Sequence, residues 1–521
     1  MRLPYYLGVL ALPAAAIFAC GSGDDPNANP GRGRGENGAD SGIVVPGGEL
    51  ADEQFPKDLL DPYTGPPIDN YDNTTITYRQ LKSRVQRVFA DDGIGGNTET
   101  YFAAKLTLLG GADFVTSVSE ARSLTSDFLL ALDGIAKDAC KRASENKTGP
   151  FAGIDPANDA PGGPAAIVRQ LYERMLLRTP RPEEATDATA FVGRLVPLST
   201  SKVEAWAGMC EALVRHQDSL FTLPPSVQFA TGIEKEKLGI IKLSNDLAGR
   251  LPTPDEMVAL PGKTINEKVD YFLGLPEFRE FYNHRVRLRT ESRGTPETDE
   301  PANLWTYLVL TGGPMKDLLV ADYTVDSSLN KIARPPVHGA TGVLTMPGFI
   351  KTKPGLPHYN YPARVMTDYM GQLFEVPEEI ISMRIPGGGV DSTVDPNGVC
   401  IACHGVLSPL ASQRARWADD GTYREVDETG KPIDDSDRSL VKDYPYKGQG
   451  MAGFSVTAVK KERFFRQTFQ SQFLFFLGRQ MRYSEDERTI YLQLWLKAFE
   501  TNGNFRELIK VIANIPGYTG Q

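Results

Sequence analysis

The stretch 395-DPNGVCIACHG-405 sets Cys400, Cys403 and His404 in the spacing C-x-x-C-H, in a chain of 521 residues with five cysteines in all. Two thiols two residues apart can add across the two vinyl groups of one haem, and the adjacent histidine then reaches the iron as proximal ligand. A thioredoxin-type dithiol wants a βαβ setting, and this Pro-, Gly- and Asp-rich neighbourhood does not read as one. Zinc needs two further ligands, and the other cysteines stand singly and far off in the sequence. One motif therefore predicts one covalent haem c on Cys400 and Cys403, with His404 on the iron. A local disulfide is the competing expectation.

Covalent haem attachment belongs outside the cytoplasm, and the N-terminus agrees. It reads 1-MRLPYYLGVLALPAAAIFACGSG-23: one Arg, an apolar run broken by proline, then small residues leading into Cys20. This predicts a secretory signal (1–20), and Ile17-Phe18-Ala19-Cys20 resembles a bacterial lipobox, in which the cysteine is lipidated. Two or three acyl chains exceed the marginal hold of one, so Cys20 is expected to anchor the protein stably to a lipid membrane. The predicted location is the periplasmic or cell-surface side of a bacterial envelope, at the outer membrane. Residues 21–70 are rich in Gly, Asp, Asn and Pro at first and poor in large apolar residues, and read as a tether. Of the remaining cysteines, Cys140 and Cys210 are left as a pair. Outside the cytosol they predict one disulfide closing a long loop, worth about 4 kcal/mol in the chain-entropy account; two unlinked buried cysteines are the alternative. A formal charge of -10 argues against nucleic acid or an anionic lipid surface as the main partner, because phosphates would be repelled, and leaves room only for a local basic patch.

Helical periodicity dominates the rest, and the fold class expected is mainly α. Phe128, Leu132, Ile135 and Ala136 recur at three- and four-residue steps in one apolar stripe. Ile167, Leu171 and Leu176 repeat the pattern, Thr179-Pro180 breaks it, and Pro182-Glu183-Glu184 starts another helix. Val203, Trp206, Cys210 and Leu213 share a face, and Thr253-Pro254-Asp255-Glu256 is a further helix start. These place helical domains over 71–330. Between 331 and 460 Pro, Gly and Asp crowd in, so a loop-rich, haem-binding segment with only short helices is expected there. A C-terminal helical domain follows over 461–521, with Phe465, Phe469, Phe473 and Phe476 on one face and Ser484-Glu485-Asp486-Glu487 as a capping box. No repeat of fixed period is evident.

The order "GVLTMPGF", "YPARVMTDYMGQLF", "CIACHGVLSPL", "WADDGTYREVDETGKPID" resembles the cytochrome-like domains of unknown function abundant in planctomycetes and myxobacteria. "FLFFLGRQMRYSEDE" with "GNFRELIKVIANIPGY" is similar to the helical domain that ends those proteins, and "IVRQLYERMLLRTPRPEE" and "LSNDLAGRLPTPDEM" are similar to their N-terminal helical domains. The likeness covers most of 165–521 and implies an exported mono-haem protein, without defining a reaction. In many relatives a histidine stands where this chain has Met346, an exchange that an axial-ligand position tolerates. Met346 and Met451 are therefore the leading distal ligands, with His338 and His358 as rivals. Trp417, Asp420, Tyr423 and Arg424 fall in the matching block after the motif. Trp417 and Arg424 are candidates to pack the haem edge or pair with a propionate; a turn with its own local bonds is the plainer reading.

Three functions are open at this point. The first is one-electron transfer at a membrane surface with an unidentified redox protein or small-molecule substrate. The second is a binding or structural surface lipoprotein stabilised by its haem. The third is a haem peroxidase or oxidase with an open distal site, for which Arg384 or His358 could supply acid/base chemistry. Serine-triad, zincin, P-loop and dinucleotide signatures do not occur.

Overall fold

The computed structural model describes residues 74–90, 98–112, 120–158, 162–292, 294–296, 298–351, 357–373, 401–427, 429–433, 450–483 and 487–520. Cys20, the 21–70 tether, Arg384, Cys400 and the Ser484 to Asp486 part of the expected capping box lie outside them. The described residues are mainly helical.

Two hydrophobic cores organise these helices. The first runs from Ile76 to Leu220 and holds α1 (Tyr78–Phe89), α2 (Ser126–Asn146), α3 (Gly163–Met175), α4 (Pro182–Leu195) and α5 (Lys202–Val214). The stripe of Phe128, Leu132, Ile135 and Ala136 on α2 packs against α5, where Trp206 and Leu213 are buried with it. Cys140 and Cys210 meet across that contact and form a disulfide, their Cα atoms 5.7 Å apart.

The second core gathers described residues from Leu238 to Tyr518. It holds α6 (Gly232–Leu243), α7 (Pro254–Ala259), α8 (Ile265–Leu273), α9 (Pro276–Arg289), α10 (Glu300–Thr311), α11 (Pro357–Met370), α12 (Ile401–Gln413), α13 (Gly450–Ala458), α14 (Glu462–Leu477), α15 (Arg488–Glu500) and α16 (Phe505–Ala513). Phe465, Phe469, Phe473 and Phe476 all face inward from α14, and Phe465 stacks on Trp495 of α15 at 4.5 Å.

Two departures from the sequence reading have local causes. The helical pattern expected up to 330 ends earlier, in an antiparallel hairpin of β1 (Tyr323–Val325) and β2 (Lys331–Ala333). Asp326 forms its turn by accepting hydrogen bonds from the amides of Ser328 (2.9 Å) and Asn330 (2.8 Å), the habit of Asp that competes with helix. The 331–460 segment holds more than short helices, since α11 has 14 residues and α12 has 13. Each contains an internal proline, Pro362 and Pro409, which masks the helical signal in sequence and costs a backbone hydrogen bond that mutual packing offsets.

A single joint recurs three times between successive helices. A residue in the left-handed region ends one helix (Leu177 φ 58, Gly249 φ 67, Gly478 φ 71). The arginine that follows clasps a glutamate at the start of the next helix. Arg178 donates to both oxygens of Glu184 at 2.7 and 2.8 Å, Arg250 to both of Glu256 at 2.8 Å, and Arg479 to both of Glu487 at 3.0 and 2.5 Å. The same glutamates accept the amides of Arg181, Thr253 and Arg482. In sequence the joints are 178-RTPRPEE-184, 250-RLPTPDE-256 and 479-RQMRYSEDE-487. At Gly249 glycine is obligatory, because a Cβ would sit 2.4 Å from the Phe281 ring. Bidentate Arg–carboxylate geometry is the strong form of this bond, so each joint fixes the angle between two helices.

Where the two cores meet, α6 runs on into a five-residue π turn, Ser244–Ala248, that is buried throughout. Asp246 in this turn pairs with Lys242 at 2.8 Å and accepts from the Tyr518 hydroxyl at 2.6 Å. Lys242 also reaches Thr222 Oγ1 at 2.8 Å, Asn245 donates to Thr222 O at 3.0 Å, and Gln80 donates to Asn245 O at 2.8 Å. Gln80 and Thr222 belong to the first body and Tyr518 to the end of the second.

The clasps make stability acid-sensitive. Burial raises the pKa of Glu184, but hydrogen bonds from Arg178, Arg181 and the Arg181 amide outweigh it and hold the carboxyl at about 2. A folded-state pKa below the unfolded one gives stability that is complete above the ordinary glutamate value and is lost as pH falls toward about 2. Denaturant unfolding of the protein and of Glu184→Gln across this range should show the wild-type advantage shrinking as pH falls; a constant gap would contradict the clasp.

Candidate functional site

The helix that carries the motif is α12, with Cys403 and His404 in its first turn. Their side chains lie outside the described residues, as does that of His358. Further along, Val406, Leu407 and Leu410 are buried, and α12 packs along α11. The guanidinium of Arg414, just past the end of α12, lies 5.3 Å from the centre of the Tyr361 ring near the start of α11. The two helices thus run antiparallel, and a rise of about 1.5 Å per residue sets Arg414 roughly 15 Å along the axis from His404.

Tyr361 touches one candidate methionine and holds the turn that leads to the other. Its hydroxyl donates to the carbonyl of Leu344 at 2.8 Å and lies 3.7 Å from Met451 Sδ. One proton cannot serve both, and the shorter carbonyl bond takes most of it, which leaves the Met451 sulfur weakly held. Leu344 belongs to the 3₁₀ turn Gly342–Thr345 that delivers Met346. Arg334 staples this turn, donating to Thr341 Oγ1 (3.2 Å), Gly342 O (3.0 Å) and Thr345 O (3.2 Å). Met346 and Met451 are both fully buried in the second core with Tyr361, Val406 and Leu410. Burial raises the Tyr361 pKa well above the ordinary phenol value, so the group stays a neutral donor.

Beyond α12 the block 414–433 folds on itself. His338 stacks on Tyr423 at 5.3 Å, and both rings meet Trp417 edge-on. Burial, and then the nearby Arg334 charge, lower the His338 pKa, so it is a neutral imidazole at neutral pH. Arg424 donates through Nε to Ala415 O at 3.0 Å, and Asp420 accepts the Thr422 amide at 2.8 Å; these are local turn bonds of the plainer kind. Arg414 pairs with Asp419 at 2.7 Å.

Three polar atoms in this short stretch are buried without a hydrogen-bond partner among the described residues: Gln413 Oε1, Arg414 Nε and Trp417 Nε1. Each orphaned buried group costs about 1–3 kcal/mol, so their clustering asks for an explanation. A haem at the motif would find N–H donors for its carboxylates in Arg414 and Trp417 and two methionines in the same core, while Gln413 Oε1, an acceptor, would not be met by those carboxylates. Tyr361, Arg334, Gln413 and Arg414 were not singled out by the sequence reading. "YPARVMTDY" and "SQRARW" contain three of them, but nothing in either string announces a hydrogen bond to a methionine-bearing turn.

No family profile, curated protein or solved structure matches the chain. Among the described residues no three His, Cys, Asp or Glu side chains gather as a metal site, and no helix is long and apolar enough to cross a membrane.

Replacing Tyr361 by Phe removes the donor from the buried Leu344 carbonyl while keeping the ring. Chemical denaturation should show a loss of about 1–3 kcal/mol. An unchanged midpoint would mean that Tyr361 does not hold the Met346 turn.

Proposed function

We propose that the protein is an exported, lipid-anchored mono-haem c-type cytochrome-like protein that passes single electrons to a partner still to be identified. The reading is carried by one observation: α12, with Cys403 and His404 in its first turn, ends among buried polar atoms that have no hydrogen-bond partner among the described residues. Cys400 and Cys403 would hold the haem covalently, His404 would ligate its iron, and Arg414 and Trp417 would receive its carboxylates. Haem supplies a one-electron couple whose potential depends on the axial ligands and on burial.

The chain's own residues set the conditions for that couple. Met346 and Met451 are the buried sulfurs within the same core, and a methionine ligand favours the reduced state over a histidine one. Tyr361 holds the Met346-bearing turn at the Leu344 carbonyl and touches the Met451 sulfur only weakly. His338 is occupied in a stack with Tyr423 and Trp417, which gives it a packing role. The resemblance of 165–521 to the cytochrome-like domains of planctomycetes and myxobacteria belongs to this proposal and supports it from the sequence side.

The test is the visible spectrum of the protein made with haem-maturation machinery, oxidised and reduced. A low-spin spectrum is expected, with a methionine-to-iron band that disappears in one of Met346→Leu and Met451→Leu, substitutions that conserve volume and cost under about 1.5 kcal/mol. A high-spin spectrum that shifts with carbon monoxide or peroxide would overturn electron transfer in favour of an open-site haem enzyme.

A further inference from the structure

An open cleft of ≈ 890 Å³ lies between α6, the end of α7 and the start of α8. Its rim carries Ile233 and Val258, which are 64% and 82% exposed. Lys235, Lys263 and Lys268 line it against a single carboxylate, Glu236. Lys268 is buried and bonded to Glu236, and Glu236 also accepts the Gly262 amide at 2.7 Å. The floor is thereby neutralised, and Lys235 and Lys263 remain beside the apolar rim, Lys263 with the Glu267 carboxylate nearby. Four residues before Ile233 stands Phe229, 55% exposed with the Arg181 guanidinium 4.3 Å from its ring centre. In a chain of net charge -10, an exposed apolar surface with a local positive excess stands out, and lipid headgroups match it: anionic phosphates for the lysines and the acyl boundary for Ile, Val and Phe.

The described chain begins at Thr74, which is bonded to Thr222 through O (2.9 Å) and through Oγ1 (3.0 Å). Phe229 is seven residues beyond Thr222, at most about 25 Å away at full extension. Phe229 is thus within that reach of the point where the described residues begin. We infer that Phe229, Ile233 and Val258 with Lys235 and Lys263 form a second membrane contact, which lays the protein against the anionic bilayer to which Cys20 tethers it. The inference rests on the anchored reading for the presence of that bilayer. Each lysine near such a surface strengthens binding about fivefold, and the effect falls with salt.

The test is flotation with vesicles of phosphatidylethanolamine, with and without phosphatidylglycerol. It uses the whole chain from residue 21, exported by a cleavable leader so that it lacks the Cys20 acyl group. Flotation is expected only with phosphatidylglycerol. Both Ile233→Ser/Val258→Ser and Lys235→Glu/Lys263→Glu should cut it by about tenfold or more, with thermal unfolding unchanged because all four side chains are at the surface. No flotation, or flotation untouched by these substitutions, would overturn the contact and leave the cleft to an acidic protein partner. Acylation is read separately by fatty-acid labelling of the full chain. An acylated protein whose residue-21 form ignores vesicles keeps the anchor and loses the surface; an unacylated one whose residue-21 form floats does the reverse.

Discussion

Asp246 is buried in a π turn where two hydrophobic cores meet, and its carboxylate is shared by Lys242 and Tyr518. The crossing to the first body is made by Lys242, which also holds Thr222, and by Asn245, which bonds Thr222 and Gln80. Burial lowers the Lys242 pKa, and the nearby Asp246 carboxylate opposes that shift, while burial and Asp246 push Tyr518 well above the ordinary phenol value. Removing one member of such a set strands the others without water, at a cost of about 3–5 kcal/mol. Apolar cores are indifferent to register, whereas these bonds, which converge on Asp246 Oδ2, form in one arrangement only. It therefore fixes how the helices behind the motif-bearing α12 are seated on the first body.

The clasps extend that rigidity outward. Each joins a helix end to a helix start through a bidentate Arg–Glu pair, and two of them, RTPRPEE and RLPTPDE, share the pattern R-x-P-x-P-[ED]-E and lie 72 residues apart (250 − 178). The resulting scaffold has fixed helix angles without relying on long loops. It presents one end of α11 and α12 to the methionine-bearing turns and, elsewhere, the lysine-rimmed cleft to solvent.

Much of this was legible in the sequence, and what was not has physical reasons. Helix starts at Pro182 and Thr253 were readable because caps are local, and the α14 aromatic face was readable because it is periodic. The pairing of Cys140 with Cys210 was within reach of cysteine arithmetic. The β1–β2 hairpin was hidden because six residues of strand are too short to show a period. The Asp246 network joins residues as far apart as 80 and 518, and no local pattern encodes that. In the candidate site, C-x-x-C-H announces itself through its spacing. The roles of Tyr361, Gln413 and Arg414 depend on which helices lie side by side, and the distal position depends on tertiary contacts for the same reason.

The central claim is that C-x-x-C-H carries one covalent haem in this scaffold. Intact mass spectrometry of the denatured protein, exported from a host with haem-maturation machinery, tests it most directly. The account predicts a mass increased by one haem that persists through denaturation and is absent from Cys400→Ser/Cys403→Ser. A wild-type mass without that increment, or with only the two-hydrogen loss of a Cys400–Cys403 disulfide, would contradict it.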